Sequence, residues 1–456
     1  MRVVEVFCVS GLEELSREEL IVVILRQEEA IGNLSEEVAA LKAELERLGS
    51  QPPPGAAAAP PGWVKPSRKE RGAKERKKRK HSFARKRDIP TEVVYHAVEA
   101  CPECGRKLSD GWVHGRRQVI ELPETPVRVI EHVLVARRCG ACGKRHIPKL
   151  ELSGQVVGKC RFGVRLMSVV ASMATSCRMP HRVIGSALLG QYGLRISVGA
   201  ISEVLHKVAE RGEGSYQDLL CQIRGSPALN ADETGWREDG VNGYIWSFST
   251  PDVRYFLYDH SRGSKVVKEV LGEEFVGTLV SDFYSAYNIY DGVKQRCWVH
   301  LLGDLKDLVE KHPDEERVSR WAGRVKSLYE RAKKVAEADL RQDKRVRLRQ
   351  MFESEALELA LPYVNSEDAP QRVLAKRIDG YLGELFTFVD HPGVPSENNA
   401  AERAIRPAVI ARKVCGGTRS PKGSQTRMRL MSLFGTWSLR GQNPIPACKA
   451  MLVASA

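Results

Sequence analysis

Two short apolar segments that each end in an aspartate constrain the fold of this chain more than any other feature. Asp232 follows the segment 227–231, and Asp282 follows the segment 278–281. Both segments have the length and composition of buried strands. A lone carboxylate at the end of such a strand is costly to desolvate unless it is exposed, paired or bound to a metal ion. The pattern therefore predicts a sheet whose strand ends share an acidic patch.

The sequence around these segments predicts an α/β fold. Residues 243–249 and 253–258 alternate like two further strands, whereas residues 160–225 and 301–390 have the apolar spacing of helices. Residues 396–456 are helical at both ends with a Gly-rich stretch between. We therefore expect one sheet near the middle of the chain, with long helices on either side of it in sequence.

A third carboxylate, Glu402, lies early in a predicted helix. A helix lying across the sheet would bring it to the two aspartates and complete a site for two divalent ions. Such ions activate water or a 3′-hydroxyl and stabilise the leaving oxygen at phosphorus. Mg²⁺ suits an all-oxygen ligand set, and Mn²⁺ is its usual substitute in an assay.

Each carboxylate also has a simpler interpretation. Asp232 fits a surface turn, and Asp282 fits a cap for the segment after it. Glu233, the neighbour of Asp232, would point to the opposite face of a strand, which favours Asp232 as the ligand.

Glu402 has two competing interpretations. It lies four residues before Arg406, the favourable order for an ion pair on a helix surface. Glu397 competes for the catalytic role, although Ser396 resembles an N-cap and would leave Glu397 in the first turn, where it favours the helix dipole.

Two Cys-x-x-Cys-Gly turns, separated by 34 residues, predict a zinc ribbon in residues 91–150. Four thiolates suit tetrahedral zinc, and the strand-like segment 127–136 precedes the second turn. The alternative is a pair of redox or free-thiol sites. His114, His132 and His146 are substitute ligands that a complete four-cysteine set does not need. The expected zinc ligands are Cys101, Cys104, Cys139 and Cys142.

The N-terminal region carries a heptad pattern and a charge run. Residues 12–48 repeat apolar positions every seven residues, which favours a two-stranded parallel coil and hence a homodimer or higher oligomer, although a single helix packed on the protein's own body also fits. A Pro/Ala/Gly linker follows at 50–66. Between positions 65 and 87, thirteen Lys and Arg face two Glu, and this arm includes Lys77, Lys78, Arg79 and Lys80. Such an arm would neutralise DNA phosphates, although a solvated tail without a partner is the alternative.

A second basic group follows Glu402. We interpret its members as phosphate contacts beside the acidic site, the alternative being an ordinary solvated basic face. Cys297 and His300 suggest a metal site, but a buried Cys and a His that supports the acidic site are favoured. The basic residues are Arg403, Arg406, Arg412, Lys413, Arg419 and Lys422.

The overall charge agrees with a polyanionic partner. The chain of 456 residues carries a net charge of +14, which favours nucleic acid or an anionic membrane surface. The longest apolar stretch near the N-terminus, 21–25, is far shorter than the roughly 20 residues of a membrane span. No secretory signal is recognisable, so we expect a cytoplasmic, nucleoid-associated protein without a membrane partner.

Four motifs together resemble the core blocks of the insertion sequence 66 family of transposases. They are Asn-Ala-Asp-Glu-Thr-Gly-Trp at Asp232, Ser-Asp-Phe-Tyr-Ser-Ala-Tyr at Asp282, Cys-Trp-Val-His-Leu-Leu at Cys297, and Glu-Asn-Asn-Ala-Ala-Glu-Arg-Ala-Ile-Arg-Pro at Glu402. The order of leucine-rich coil, linker, zinc module and catalytic domain also resembles that family. The resemblance covers nearly the whole chain.

This resemblance implies an RNase H-like catalytic core with Asp232, Asp282 and Glu402 as metal ligands. Glu402 lies 120 positions after Asp282, which leaves room for the family's helical insertion. It implies a DNA transposase that cuts transposon ends and joins them to target DNA, usually with small accessory proteins. The expected organisation is a coiled-coil helix (1–49), linker and basic arm (50–90), zinc-binding module (91–150), helical DNA-binding or connecting region (151–225), first part of the core (226–300), helical insertion (301–395), and second part of the core with a tail (396–456).

Two rival functions remain open. A catalytically silent, transposase-derived DNA-binding regulator would need only the zinc module, the coil and the arm. A DNA-junction nuclease of the same core class would have no use for the coil and the zinc module.

Overall fold

The computed structural model describes Gly32 and residues 88–109, 111–122 and 127–454. The predicted coiled coil (Gly32 apart), the linker and the basic arm with Lys77, Lys78, Arg79 and Lys80 lie outside the described residues and stay predictions. The chain divides into two compact units, 1–120 and 121–456, which are taken separately below.

The described residues of the first unit include one small turn. Ala100 and Lys107 form an antiparallel bridge on either side of the first Cys-x-x-Cys motif. Elsewhere in this unit, the Gln118 amide donates to the carbonyl of Asp88 at 2.7 Å and accepts from its backbone N–H at 3.1 Å.

The second unit begins with a two-stranded hairpin, β1 (Arg137–Arg138) and β2 (Arg145–His146). The strand predicted over 127–136 is wrong, because residues 127–136 carry no regular structure. Continuing the ladder would pair position 135 with Pro148, which has no N–H to donate. The hairpin is therefore limited to the two residue pairs nearest the turn.

Four helices follow the hairpin. Their apolar residues recur at helical spacing, as in α3, where Ile201, Val204, Leu205 and Val208 are all buried. These side chains join one large core with the middle strands of the sheet. The helices are α1 (Val164–Thr175), α2 (His181–Tyr192), α3 (Val198–Arg211) and α4 (Glu213–Arg224).

A five-stranded mixed sheet forms the centre of the second unit, which confirms the α/β class. Its order is β5-β4-β3-β6-β7. Strands β3 and β4 pair antiparallel, as do β4 and β5, whereas β6 is parallel to both β3 and β7. The strands are β3 (Ala228–Glu238), β4 (Val241–Ser249), β5 (Arg254–Asp259), β6 (Thr278–Ser281) and β7 (Lys294–Arg296), with helix α5 (Ser264–Leu271) between β5 and β6.

Six helices between β7 and Glu402 build a core of their own. Trp298, Trp321, Phe352 and Phe386 are among its buried residues. The Gln295 side-chain amide donates to the carbonyl of Leu385 at 3.0 Å, which ties this core to edge strand β7. The helices are α6 (Trp298–Lys311), α7 (Glu316–Glu337), α8 (Gln342–Val364), α9 (Arg372–Gly380), α10 (Leu382–Leu385) and α11 (Thr387–Asp390).

Of the last three helices, the first two return to the sheet and the third packs against α1. They are α12 (Asn399–Cys415), α13 (Pro421–Leu439) and α14 (Pro444–Ala454). Trp236 of β3 packs in a separate cluster with Ile405 and Ala408 of α12, on the sheet face opposite to the core of α1–α4. Helix α12 therefore covers the face of β3 on which even-numbered side chains point. Within the described part of the chain, no helix combines the length and apolarity needed to cross a membrane.

Candidate active site

The parallel pairing of β3 and β6 puts Asp232 and Asp282 at equivalent positions. Ala228 pairs with Thr278, and each aspartate lies four residues beyond its member of that pair. Strand β6 ends at Ser281. Strand β3 continues to Glu238, because β4 pairs with residues 230–238 of β3. Asp232 therefore lies inside β3, beside the end of β6, and not at the end of its own strand as predicted.

The surroundings of Asp232 disfavour a negative charge on its side chain. Burial is the first cause that raises its pKa, to about 7, and the negative charges of Glu233, Asp282 and Glu402 raise it further. A hydrogen bond from the Glu233 N–H to Oδ1 of Asp232, at 2.9 Å, acts in the opposite direction. The three expected ligands are thus close enough to disturb one another, and a cation among them would relieve the repulsion.

Asp282 is half-buried and is held by its own turn. Its Oδ1 accepts from the Tyr284 N–H at 2.9 Å, while its backbone carbonyl accepts from the Arg296 guanidinium at 2.8 Å. The short 3₁₀ helix Ser285–Ile289 has Tyr284 as N-cap and no side-chain cap. Asp282 therefore stabilises a turn and does not cap a helix.

Glu402 lies in the first turn of α12, as predicted, with its side chain 46% exposed. Among the described residues its carboxylate pairs with His300, at 3.7 Å between Oε1 and Nε2, and forms no ion pair with Arg406. The predicted cap at Ser396 is wrong, because α12 begins after Asn398. Glu397 therefore precedes the helix.

Asn398 joins the strand of Asp232 to the helix of Glu402. Its Nδ2 donates to the carbonyl of Ala231 at 2.7 Å, and its Oδ1 accepts from Nδ2 of Asn230 at 2.9 Å. Asn398 is 1% exposed, so both bonds are shielded from water. Asn398 was not predicted as a site residue, although it lies in the Glu-Asn-Asn motif before Glu402. Its side-chain hydrogen bonds join two segments that are distant in sequence, so the sequence alone does not reveal them.

Cys297 and His300 complete the same corner. Cys297 is buried, and its Sγ accepts from the Asn398 N–H at 3.1 Å. The pKa of His300 is raised to about 9, through its interaction with the Cys297 side chain and through the charges of Cys297, Asp282 and Glu402. Nδ1 of His300 has no hydrogen-bond partner among the described residues. The negative charges of Asp282 and Glu402 are therefore the main reason to expect a protonated His300 ring. Its positive charge would offset the charge of Glu402.

Glu233 belongs to the opposite face of β3, as the alternation predicted. Its carboxylate accepts from Arg262 at 2.7 Å and from the Tyr287 hydroxyl at 2.5 Å. A carboxylate already satisfied by an arginine and a tyrosine has little capacity for a metal ion. The geometry thus favours Asp232 over Glu233 as a ligand.

The donor set suits a hard divalent cation, since all three candidate ligands offer carboxylate oxygens. Among residues 88–109, 111–122 and 127–454, no group of three or more His, Cys, Asp or Glu side chains stands in metal-binding geometry. The raised pKa of Asp232 is the observation that favours a cation here, because burial and the nearby negative charges both destabilise its charged form and a cation would offset them.

The basic residues after Glu402 fall into two kinds. Arg412 is half-buried, and its guanidinium donates to the carbonyl of Gly235 and to Oγ1 of Thr234, so it holds α12 against β3. The other members are exposed, so a ligand can reach their side chains. They are Arg403, Arg406, Lys413, Arg419 and Lys422.

The loop that carries Arg419 is fixed to the end of β3. The Thr418 N–H donates to the carbonyl of Arg237 at 2.9 Å, and the Asp239 N–H donates to the carbonyl of Thr418 at 2.8 Å. Gly417 has a φ of +135°, and a Cβ there would lie 2.2 Å from the carbonyl oxygen of Arg237. Only glycine allows the loop to lie this close to the strand.

The first cysteine pair forms a tight knuckle. The Cys101 N–H donates to the carbonyl of Arg106, and the Gly105 N–H donates to the carbonyl of Cys101, both at 2.8 Å. Gly105 has a φ of +68°, which explains the glycine after the motif. Hydrogen bonds from the Glu103 and Cys104 amides lower the pKa of Cys101, which favours the thiolate that zinc binds.

The second cysteine pair repeats this local geometry. The Cys139 N–H donates to the carbonyl of Lys144, and the Gly143 N–H to the carbonyl of Cys139, both at 2.9 Å, with a φ of +69° at Gly143. The amides of Cys142 and Ala141 lower the pKa of Cys139. Each pair thus has the turn that a zinc knuckle requires.

Comparison with known proteins agrees with the resemblance of the motifs. A family model described as "Transposase IS66 family" matches residues 159–426, more than half of the chain. The matched segment includes Asp232, Asp282 and Glu402 as well as the helices that separate them. A search of curated proteins found no match.

Proposed function

Because the chain belongs to the IS66 family of transposases, we propose that it cleaves DNA at transposon ends and transfers the freed strands into target DNA. In the first step water attacks a phosphodiester and the strand is released with a 3′-hydroxyl. In the second step that hydroxyl attacks a target phosphodiester, so that one P–O bond forms as another breaks.

Asp232, Asp282 and Glu402 are the residues proposed to hold the divalent cations. Mg²⁺ or Mn²⁺ bound there would activate the attacking oxygen and stabilise the leaving oxygen. The observation that carries the proposal is the raised pKa of Asp232, about 7, which results first from burial and then from the negative charges around it, including those of Asp282 and Glu402. A buried carboxylate with a raised pKa is one that a bound cation would stabilise in its charged form.

The topology of the sheet supports an RNase H-like core. Four of the five strands run in one direction and only β4 opposes them, with Asp232 and Asp282 on adjacent central strands. We propose that helices α6–α11, which have their own core, are the insertion between the second aspartate and the glutamate. The insertion separates Glu402 from Asp282 in sequence, and Asn398 brings the chain back to β3.

The remaining parts of the proposal concern DNA and other chains. The exposed Arg403, Arg406, Lys413, Arg419 and Lys422 are proposed to contact phosphates, and Arg412 to position α12. Zinc held by Cys101, Cys104, Cys139 and Cys142 is proposed to stabilise the zinc module. The pairing of two chains through residues 12–48 and the use of accessory proteins remain proposals from the sequence.

The test uses the full chain and duplex DNA taken from the ends of the element that encodes it. With Mg²⁺ or Mn²⁺ the parent should nick this DNA and produce strand-transfer product. Asp232→Asn and Glu402→Gln should each lower the rate by a factor of about 10³ or more, as expected when a catalytic electrostatic contact is lost. The matched variants Asp239→Asn and Glu397→Gln should cut like the parent.

Three results would count against the proposal. Parent-like cutting by Asp232→Asn would remove the acidic site from the mechanism. DNA binding without nicking, with every metal tried, would instead identify a silent DNA-binding regulator. Nicking of branched DNA without any strand-transfer product would identify a junction nuclease.

A further inference from the structure

Helices α2 and α3 form a helix-turn-helix unit. Helix α2 ends at Tyr192, and Gly193 follows in the left-handed region with a φ of +68°. Residues 194–196 then lead to Ser197, whose side chain caps α3 by accepting from the Ala200 N–H at 3.1 Å. Three residues between a left-handed glycine and a capped helix are the short turn that defines this motif.

The two helices pack directly against each other. A Cβ added at Gly185 of α2 would lie 3.4 Å from the carbonyl of Ile196 and 3.8 Å from Cδ1 of Ile201, so the helices approach closely at this glycine. Ile184 and Ile201 are both fully buried. Helix α1 shares this core, which gives the three-helix arrangement typical of DNA-binding helix-turn-helix domains.

The start of α3 is exposed and built from small side chains. Ser197, Val198 and Gly199 all lie at the surface, with Val198 46% exposed. Small residues at the N-terminal end of a helix let its backbone approach base edges closely. An exposed valine can also contact the methyl group of thymine.

The charge around this motif favours a polyanion. Residues 152–202 contain six Lys and Arg and no Asp or Glu, whereas the rest of α3 carries Lys207 and Arg211 beside Glu203 and Glu210. Arg182, in the first turn of α2, and Arg195, in the turn before α3, are both exposed. These are the positions from which a helix-turn-helix unit contacts the sugar-phosphate backbone. An acidic protein could satisfy the charge, but it would not explain a small-residue helix end beside it.

The motif also lies beside the proposed phosphate contacts. Nδ1 of His206, on α3, is 2.7 Å from Oγ1 of Thr426, near the start of α13. The positive charge of Lys422 lowers the pKa of His206 after the larger effect of burial. Helix α3 is thus fixed to the helix whose first turn carries Lys422, so one DNA duplex could meet both.

We propose that α2, the turn and α3 form a sequence-reading module, with the first two turns of α3 in the major groove of duplex DNA and Arg182 and Arg195 on its phosphates. The DNA identified in this way is the end of the transposon, and that identification rests on the proposed function. Recognition of a defined duplex does not require cleavage.

The experiment selects bound duplexes from a random-sequence library with the full chain and sequences them. Binding of the recovered duplex and of a scrambled one is then compared at one salt concentration. The parent should prefer the recovered duplex by about 10³-fold or more. Val198→Asp should lose about tenfold or more of that preference, while its binding to the scrambled duplex changes less. Arg195→Ala, which removes a proposed phosphate contact, should weaken binding to both duplexes by a similar factor.

The controls are matched in residue type and exposure. Val373→Asp changes an exposed valine in the first turn of α9, and Arg317→Ala changes an exposed arginine of α7. Both should keep the parent's preference. An aspartate in the first turn of a helix favours the helix dipole, so Val198→Asp should fold, and circular dichroism checks that it does.

The proposal is overturned if the parent enriches no sequence, or if Val198→Asp recovers the parent's sequence with the same preference. It is also overturned if Val198→Asp leaves DNA binding intact and changes only the mass of the oligomer in light scattering, since the surface would then join protein chains. Asp232→Asn should retain the preference. Whether Asp232→Asn cuts DNA tests the proposed chemistry, and whether it keeps the sequence preference tests the DNA-reading module, so the two proposals can fail independently.

Discussion

At the scale of single residues, burial and partners decide which carboxylates can serve as ligands. Glu233 is committed to Arg262 and Tyr287, whereas among the described residues its neighbour Asp232 accepts a hydrogen bond only from the Glu233 N–H. Asp232 is the one whose pKa rises to about 7. Adjacent acids of one strand thus differ in role because they face different layers of the fold.

Asp232→Asn should stabilise the metal-free protein at pH 8. The folded-state pKa of Asp232 lies above the ordinary value of 3.8, so its contribution to folding stability is present below pH 3.8 and is lost as the pH rises to about 7. Three pKa units correspond to at most about 4 kcal/mol, an upper bound because the side chain is partly exposed. Thermal unfolding should show a larger gain at pH 8 than at pH 4.

The matched control is Asp239→Asn, an exposed aspartate beyond the end of β3. Its effect on the unfolding temperature should not depend on pH. Mg²⁺ should then stabilise the parent and the control but not Asp232→Asn. Equal gains for Asp232→Asn at both pH values would contradict the assignment of its pKa.

Asn398→Ala should weaken the use of metal more than it lowers the maximal rate. The change leaves the Ala231 carbonyl and the Asn230 amide without their buried partner, which costs about 1–3 kcal/mol of folding stability. It also loosens the start of the helix that carries Glu402. The half-saturating Mn²⁺ concentration for cleavage should rise several-fold, whereas the neighbouring Asn399→Ala should leave it unchanged. A purely structural role would lower the amount of folded enzyme at an unchanged metal requirement.

At the scale of elements, the sequence predicted those that carry their own pattern. Three strands matched closely, since 243–249, 253–258 and 278–281 were expected where Val241–Ser249, Arg254–Asp259 and Thr278–Ser281 lie. The full length of β3 could not be predicted, because Glu233–Glu238 become strand only through pairing with β4. Edge strand β7 was missed because three polar residues have no strand signature.

The start of α12 shows the same limit for the site. Ser396 matched the cap pattern, yet its hydroxyl lies 3.1 Å from the Tyr329 hydroxyl and its carbonyl accepts from the Trp298 N–H at 3.0 Å. These partners come from the helices between β7 and α12, so tertiary contacts override the local cap preference. Glu402 was identified correctly as an early helical residue, but the partners Asn398 and His300 required the fold.

Gly417→Ala should displace the loop between α12 and α13. The new Cβ would meet the Arg237 carbonyl, at a φ that side-chain-bearing residues rarely adopt, so we expect a loss of about 2 kcal/mol or more in urea unfolding. DNA affinity should fall with it, because the loop presents Arg419. Gly214→Ala, in a helix with open space around it, is the control and should be neutral or stabilising. A parent-like stability of Gly417→Ala would show that the loop is not held as described.

At the scale of the whole molecule, the net charge of +14 and its division between two basic groups favour DNA as a partner. Thirteen Lys and Arg lie in residues 65–87, whereas the folded second unit presents its own exposed basic residues near Glu402. The two groups make different predictions about salt dependence, because each phosphate contact releases counter-ions.

Replacing Lys77, Lys78, Arg79 and Lys80 by Gln should reduce the steepness with which log affinity falls as log salt concentration rises. The magnitude of that slope should fall by about 3 to 4, at about 0.9 per phosphate contact on duplex DNA. The measurement is a DNA-binding titration between low and moderate salt. The matched control replaces four exposed basic residues of α7: Arg317, Arg320, Lys326 and Lys333. An unchanged slope for the first variant would mean that the arm does not meet phosphates.

The most direct measurement is a crystal structure of the full chain grown with Mn²⁺, with the ions located by their anomalous scattering. The account predicts ions bound by carboxylate oxygens of Asp232, Asp282 and Glu402, and their loss in Asp232→Asn crystals. Ions that avoid these three side chains, or that occupy the same place in Asp232→Asn, would contradict it.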